Sequence, residues 1–443
     1  MPWLRAPLPK GTDRLLTAGV IIVYLALLKW AYIARLAPAF GYMGLRYVDP
    51  GWYQECLSWI LALLPLLWLP IDIDRPSRLP LWFQYLVVYL PTTTIPLYNF
   101  TAPDRTVWPL VITVLLALMI VQALGEMPPL ELRVPRVSPT AFRLVLIGLG
   151  LLLLIPIQMT FGLSLQMPSL SDVYDVRAEF RETLANANPV AGYAVAWFGR
   201  TVMPLVMVEG LVSRKWLLVL AGLFGEALVF SISGSKSVAL AGFFLAALWV
   251  IYRPGGRRMG LLIATSLTGV VLLSVIADVF GGVLTLASLF IRRALVTPGL
   301  LTGDFYEFYS DHPIILLGSS ILRPLAGYRY DAAPPFVIGG VYFGDATRAA
   351  NVNIWGDAFA NFGLTGIVVF AILFGMVLWV FNSLARGRSP SMTCLMLGVP
   401  SLMLTNSALL TVMITHGLAL TMLLAALLPP VVPAQSPPAL ESA

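Results

Sequence analysis

The chain has 443 residues, of which 58% are hydrophobic and only 11% are charged. A soluble domain carries roughly 25% charged residues, so a water-soluble globular enzyme is excluded and a polytopic membrane protein is expected. The two cysteines, Cys56 and Cys394, both fall in apolar runs and support neither a disulfide framework nor a metal site. The net charge of +6 is modest, so the placement of the cations carries more information than their excess.

Apolar runs near the roughly 20-residue length of a membrane helix recur along the chain and predict about twelve spans. They lie near 15–36, 52–70, 79–100, 107–124, 142–160, 190–211, 215–232, 237–252, 260–280, 357–381, 391–407 and 409–429. The first is too long and too poorly flanked to be a cleaved signal peptide. The last two form one uncharged run, divided at "LTNSALL", where Asn406 and Ser407 suit a tight turn. Residues 282–296 are too short and too basic for a span. Neither an internal repeat nor an interrupted helix is legible. The expected fold is all-α, a single transmembrane domain over 1–430. A Pro-rich tail at 431–443 is expected to be disordered and cytoplasmic.

Short loops set the orientation. Arg5, Lys10 and Arg14, then Arg75 and Arg78, Arg133, Arg136 and Arg143, Arg214 and Lys215, Arg253, Arg257 and Arg258, and finally Arg386 and Arg388 alternate onto one side. That side is expected to be cytoplasmic, with both termini inside. Two long loops, about 161–189 and 281–356, then face outward. They carry Arg177, Arg181, Arg292, Arg293, Arg323, Arg329 and Arg348, while Arg200 and Lys236 are placed at the outer ends of spans six and eight. So many external cations call for an anionic ligand.

Four stretches carry candidate chemistry. "SLFIRRALVTPG" embeds Arg292 and Arg293 in an apolar segment. Their planar forks suit phosphate, and snorkelling to lipid headgroups is the plainer alternative. "SISGSKSVAL" places Lys236 among small hydroxyl residues at a helix start, which suits an anion or simply a serine-capped turn. "SDVYDVRAEFRETLANANP" reads as an amphipathic helix with i,i+4 charge pairs, either a surface helix or a lid. "LTGDFYEFYSDHPIILLG" can form a short helix with Asp304, Glu307 and Asp311 along one edge. Tyr306 and its aromatic neighbours suit a sugar face, and an interfacial aromatic belt is the alternative. Glu226 and His416 lie within spans, Glu226 as a helix-bridging or cation-pairing acid and His416 as a packed, hydrogen-bonded side chain.

With those residues in view, the chain resembles Wzy-type oligosaccharide repeat-unit polymerases, the O-antigen polymerase group. The likeness spans roughly Tyr174 to Leu428. It rests on "FSISGSKS", on "RRALVTPGLLTGDFYEFYSDHP", and on "NIWGDAFANFGLTG", with its acidic residue, aromatic and Asn-Phe-Gly-x-x-Gly. Arg181, Arg292 and Arg329 each precede a glycine at the Arg-x(10)-Gly spacing found in some of these polymerases. O-antigen ligases share the architecture but carry a His-Asn pair before Gly-x-x-Gly, and "AANVNIWGDAFANFGLTG" has no histidine.

The resemblance implies a GT-C-like, metal-independent glycosyltransferase of the bacterial inner membrane, with no cofactor and no nucleic-acid partner. It would move a growing glycan from undecaprenyl pyrophosphate to an incoming lipid-linked repeat unit on the periplasmic side, in polysaccharide or lipopolysaccharide biosynthesis. A chain-length regulator and a flippase would be its membrane partners. A ligase-like transferase and a lipid-linked oligosaccharide transporter are the alternatives. In this reading Arg292 and Arg293 clamp the pyrophosphate, with Arg200, Lys236, Arg181, Arg323 and Arg329 as further cations and Tyr306 against sugar. The candidate bases are Asp357, Glu307 and His312, in that order. Asp357, on a helix's first turn, has capping of that helix as its alternative role.

Overall fold

The computed structural model describes residues 11–100, 106–135, 137–162, 165, 167–168, 172–253, 255–320, 323 and 327–431. Arg5, Lys10, Arg136 and residues 432–443 of the tail lie outside them. The described chain is helical, with no strand among the described residues beyond one isolated bridge between Arg388 and Pro430.

Seven helices are long and apolar enough to cross a membrane. They are α1 (Thr12–Ala39), α4 (Trp108–Gly125), α5 (Pro139–Phe161), α7 (Pro189–Ser213), α8 (Trp216–Ser233), α10 (Met259–Gly281) and α13 (Ile354–Ala385). The chain is therefore a polytopic membrane protein. Side chains set several helix starts. Ser138 caps α5, Asn188 caps α7 and Asn353 caps α13, each by accepting main-chain N–H bonds, and proline follows the cap in α5 and α7.

The other five expected spans take different forms, for local reasons. In α2 (Trp52–Leu63), the helix tightens to a 3₁₀ turn over Leu64–Leu67, where Pro65 removes an N–H donor. α3 (78–99) is helical throughout but contains a π stretch at Gln84–Tyr89 and the polar run Thr92, Thr93, Thr94, and it is almost wholly buried. α9 (Lys236–Tyr252) and α14 (Pro390–Met403) are short. The final span is two pieces, α15 (Leu409–Ile414) and α16 (Leu418–Ala426), parted at Gly417 with φ of 79°. The expected turn at Asn406 and Ser407 is present as well. α13 also breaks its helical geometry at Phe362 and Gly363.

The expected loop at 281–356 is mostly helix. Residues 287–311 form α11, a π stretch (Ala287–Val296) running into Thr297–Asp311, and α12 (Pro334–Phe343) follows. Every residue from Pro298 to Tyr309 is buried, because α11 lies between α3 and the first turns of α13. Gly299 and Gly303 allow this approach. A Cβ on them would sit 2.5 Å from the Pro91 main chain and 2.8 Å from Pro96, respectively. The other expected outer loop contains α6 (Val173–Asn186), which rests on the α8–α9 turn, where Arg177 donates to the Gly234 carbonyl at 2.9 Å.

One end of the bundle gathers the loops that the cation pattern places on one side. Arg258 pairs with Asp13 at 3.0 Å and its N–H donates to Asp72. Arg78 pairs with Glu126 at 2.6 Å, and Arg386 with Glu131 at 3.3 Å. Asn382 accepts from the Ser77 N–H and donates to the Gly125 carbonyl and the Ser77 hydroxyl, tying α13 to the start of α3 and the end of α4. This is called the basic end below.

Candidate functional site

At the opposite end, α11 presents its acids. Asp304 and Glu307 stand one turn apart and both are buried, while Asp311 is exposed. One carboxylate oxygen of Asp304 has no hydrogen-bond partner. Such an atom is costly in a dry interior. Tyr306 sits between Phe100, 6.3 Å away and stacked, and Phe359 at 4.9 Å, with its hydroxyl donating to the Thr106 carbonyl at 3.3 Å. α11 ends at His312, ahead of Pro313, which disfavours helix for the residue before it. The His312 ring stacks on Phe308 at 4.0 Å, and its Nδ1 lies 2.9 Å from the Phe308 carbonyl.

Asp357 lies half-buried on the first turn of α13, on the Tyr309 side of α11. It is not the helix cap. Asn353 holds that role, with its Oδ1 accepting from Trp355 and Gly356 while its amide donates to Thr302 at 2.7 Å and the Pro298 carbonyl at 3.2 Å. One side chain thus starts α13 and docks it on α11. Asn361 makes a second tie. Its amide donates to the Asp357 carbonyl at 2.8 Å, and its Oδ1 accepts the Leu317 N–H at 2.7 Å. Leu316 and Leu317 are both left-handed, with φ of 48° and 62°, a conformation that costs a leucine roughly 1–2 kcal/mol.

Aromatic rings continue outward from the acids. Tyr330 lies 6.0 Å from Tyr309 and 5.8 Å from Tyr328, and Arg323 stands 5.8 Å over the Tyr328 ring. Burial, helped by Tyr330 and opposed by Arg323, pushes the Tyr328 hydroxyl up to about 12. Arg323 and Arg329 are exposed. The region combines buried carboxylates, a run of aromatic faces and exposed guanidinium groups. It can accept hydrogen bonds from hydroxyl groups, cover apolar ring faces and hold an anion. Among the described residues, no three of His, Cys, Asp and Glu converge as a metal site.

Six sequence-predicted residues therefore lie in this region: Glu307, Tyr306 and His312 on the last turns of α11 and its cap, Asp357 on the first turn of α13, and Arg323 and Arg329 beside the Tyr328 and Tyr330 rings. The others do not join them. Arg292 and Arg293 lie fifteen and fourteen residues before Glu307, about 20 Å along the same helix. Arg292 bonds Ser288 at 3.0 Å and stands 4.7 Å over Phe40, and Arg293 is exposed. Lys236 opens α9, and Arg181 is exposed on α6.

Arg200 is not at a helix end, as expected, but eleven residues into α7. It donates to His416 Nδ1 at 2.7 Å, and its Nε is buried without a partner. Because a guanidinium only donates, His416 Nδ1 is the acceptor, and Nε2 is left to bond Ser407 at 3.1 Å. His416 is thus hydrogen-bonded, as expected. Glu226 is buried on α8 with the Gly242 main chain of α9 beside its carboxylate, which fits the expected helix-bridging role, and it makes no ion pair among the described residues.

Sequence reasoning missed Asn353, Asn361 and Arg35. An asparagine directly before a helical run was the legible signal for Asn353. The arginines share a subtler one: Arg35, Arg200, Arg292 and Arg293 all fall in π stretches, which often mark functional sites.

No family model, curated protein or solved structure matches this chain.

Proposed function

We propose that the chain polymerises oligosaccharide repeat units carried on a polyprenyl pyrophosphate, as a metal-independent glycosyltransferase. The observation that carries this reading is the pair of buried acids on α11, Asp304 and Glu307, with Asp357 on the neighbouring first turn of α13 and the Tyr309, Tyr330 and Tyr328 rings leading out to Arg323, at the end of the bundle opposite its basic end. If the basic end is cytoplasmic, this site faces outward, where a lipid-linked sugar is the available donor. Asp357 is the base of choice. It stands on the first turn of α13, which Asn353 caps, so it is not needed as a cap. Arg323 and Arg329 are better placed than Arg292 to meet a diphosphate beside it. In this proposal α2, α3, α9, α14 and the α15–α16 pair complete twelve crossings of a GT-C-like bundle.

The test is single-turnover polymerisation by purified protein on lipid-linked repeat units. Asp357→Asn is expected to bind substrate normally and to lose roughly 10²–10⁴ in rate. A near wild-type rate removes Asp357 as the base, and absence of any glycan ladder from the wild type removes the polymerase reading.

The broken α15–α16 pair beside Arg200 favours a second reading, a transporter of the same lipid, since such breaks host transporter sites. A transporter makes no ladder in detergent but moves fluorescent lipid-linked sugar across proteoliposomes.

A further inference from the structure

Away from the acids, an open surface groove of about 470 Å³ lies between the end of α1 and the α10–α11 corner. Ala34, Pro38, Ala39, Val283 and Leu284 form apolar walls, and Arg35 supplies the charge. The π stretch at Tyr32–Leu36 carries Arg35 four residues before the end of the apolar helix α1. Its Nη2 makes long bonds to the carbonyls of Val283 at 3.3 Å and Asp278 at 3.5 Å. The nearby Asp278 carboxylate does not neutralise it. That group is turned to the N–H groups of Leu286 and Ala287, where it fixes the start of α11. Nε and Nη1 of Arg35 remain as donors into the groove.

Beside the groove, Ile276, Val279 and Phe280 are exposed on one face of the last turns of α10, and Val283, just past the left-handed Gly282 that ends the helix, is exposed as well. An apolar track thus leads to a guanidinium with no ion-pair partner among the described residues. Basic pockets between membrane helices bind anionic headgroups by this chemistry.

We propose that this corner is a lipid site. It takes the phosphodiester of an anionic phospholipid at Arg35, with an acyl chain along Ile276, Val279 and Phe280. A bound lipid would brace the corner from which α11 departs. The inference stands apart from the polymerase reading, because it concerns a structural lipid and not a substrate.

The test is native mass spectrometry of detergent-purified protein exchanged against phosphatidylglycerol or phosphatidylcholine. The wild type is expected to retain phosphatidylglycerol preferentially. Arg35→Gln, which keeps donors for the two carbonyls but not the charge, should cut that retention about five-fold, as expected for one cation near anionic lipid. Ala34→Trp, which fills the groove and keeps Arg35, should do the same. It decides the matter alone if Arg35→Gln fails to elute as a folded protein. Arg181→Gln should retain lipid as the wild type does. Equal retention of the two lipids, or unchanged retention in Ala34→Trp, overturns the proposal. Displacement of phosphatidylglycerol by millimolar inorganic phosphate would make the ligand free phosphate, and one-for-one displacement by polyprenyl pyrophosphate would make the corner part of a donor site. Either result also overturns it, and neither bears on whether Asp357 is a base.

Discussion

Gly299→Ala tests whether α11 is a buried helix. A Cβ at this position would meet the Pro91 carbonyl carbon at 2.5 Å, the Pro91 Cβ at 2.7 Å and the Pro91 oxygen at 2.7 Å. Two of these are main-chain atoms that cannot rotate away, so α11 must separate from α3. Overpacking of this kind costs about 1–3 kcal/mol, and rigid main-chain contacts place it in the upper part of that range. Alanine returns up to about 1 kcal/mol in helix propensity. The net expectation is a loss of about 1–2 kcal/mol. Gly269→Ala is the matched control: it lies inside α10 with nothing within 4 Å of its Cβ position, so only the propensity gain applies. The two variants should shift the apparent melting temperature in mild detergent in opposite directions. If Gly299→Ala is as benign as Gly269→Ala, the segment does not pack on Pro91 and the buried α11 is wrong.

Three further outcomes are expected. Asn382→Ala removes three buried bonds, those with the Ser77 N–H, the Ser77 hydroxyl and the Gly125 carbonyl, and should cost about 2–4 kcal/mol in the same melting assay. Asn382→Asp should fare little better, because it keeps an acceptor but loses both donated bonds. Arg200→Met strips His416 of its donor but also removes a buried charge, so it should be better tolerated than Arg200→Ala, which leaves a void as well; equal melting temperatures would show that the side-chain volume is immaterial. Cysteines at Lys215 and Arg329 should label from opposite faces of intact cells with an impermeant maleimide, and labelling from the same face would refute the assignment of ends.

Composition alone disclosed the membrane class, because burial in lipid demands apolar runs that water-soluble folds do not contain. Uninterrupted runs such as those of α4, α5 and α8 were legible with boundaries close to those found. The break at His416 and Gly417 was not, since it lies inside an uncharged run where only a single glycine marks it. α11 was misjudged for a different reason. Acids at Asp304 and Glu307 suggest contact with water, and only the packing of Gly299 and Gly303 on two prolines of α3 reveals that the helix is enclosed. The site was half legible. Asp357, Glu307, Tyr306 and His312 are close in sequence to the helix ends that assemble them, whereas the exclusion of Arg292 follows from the length of α11, which a loop assignment conceals.

Asn361 has a consequence for how this region can move. Its amide carbonyl holds the left-handed turn at Leu317, its amide nitrogen holds the Asp357 carbonyl, and the Ile315 N–H bonds the neighbouring Ala360 carbonyl at 2.9 Å. The bend at Phe362 and Gly363 begins one residue later. The chain leaving α11 and the chain entering the long run of α13 are therefore geared to one pivot. The main chain at Asp357 cannot shift without disturbing the Leu317 turn that shares the Asn361 side chain.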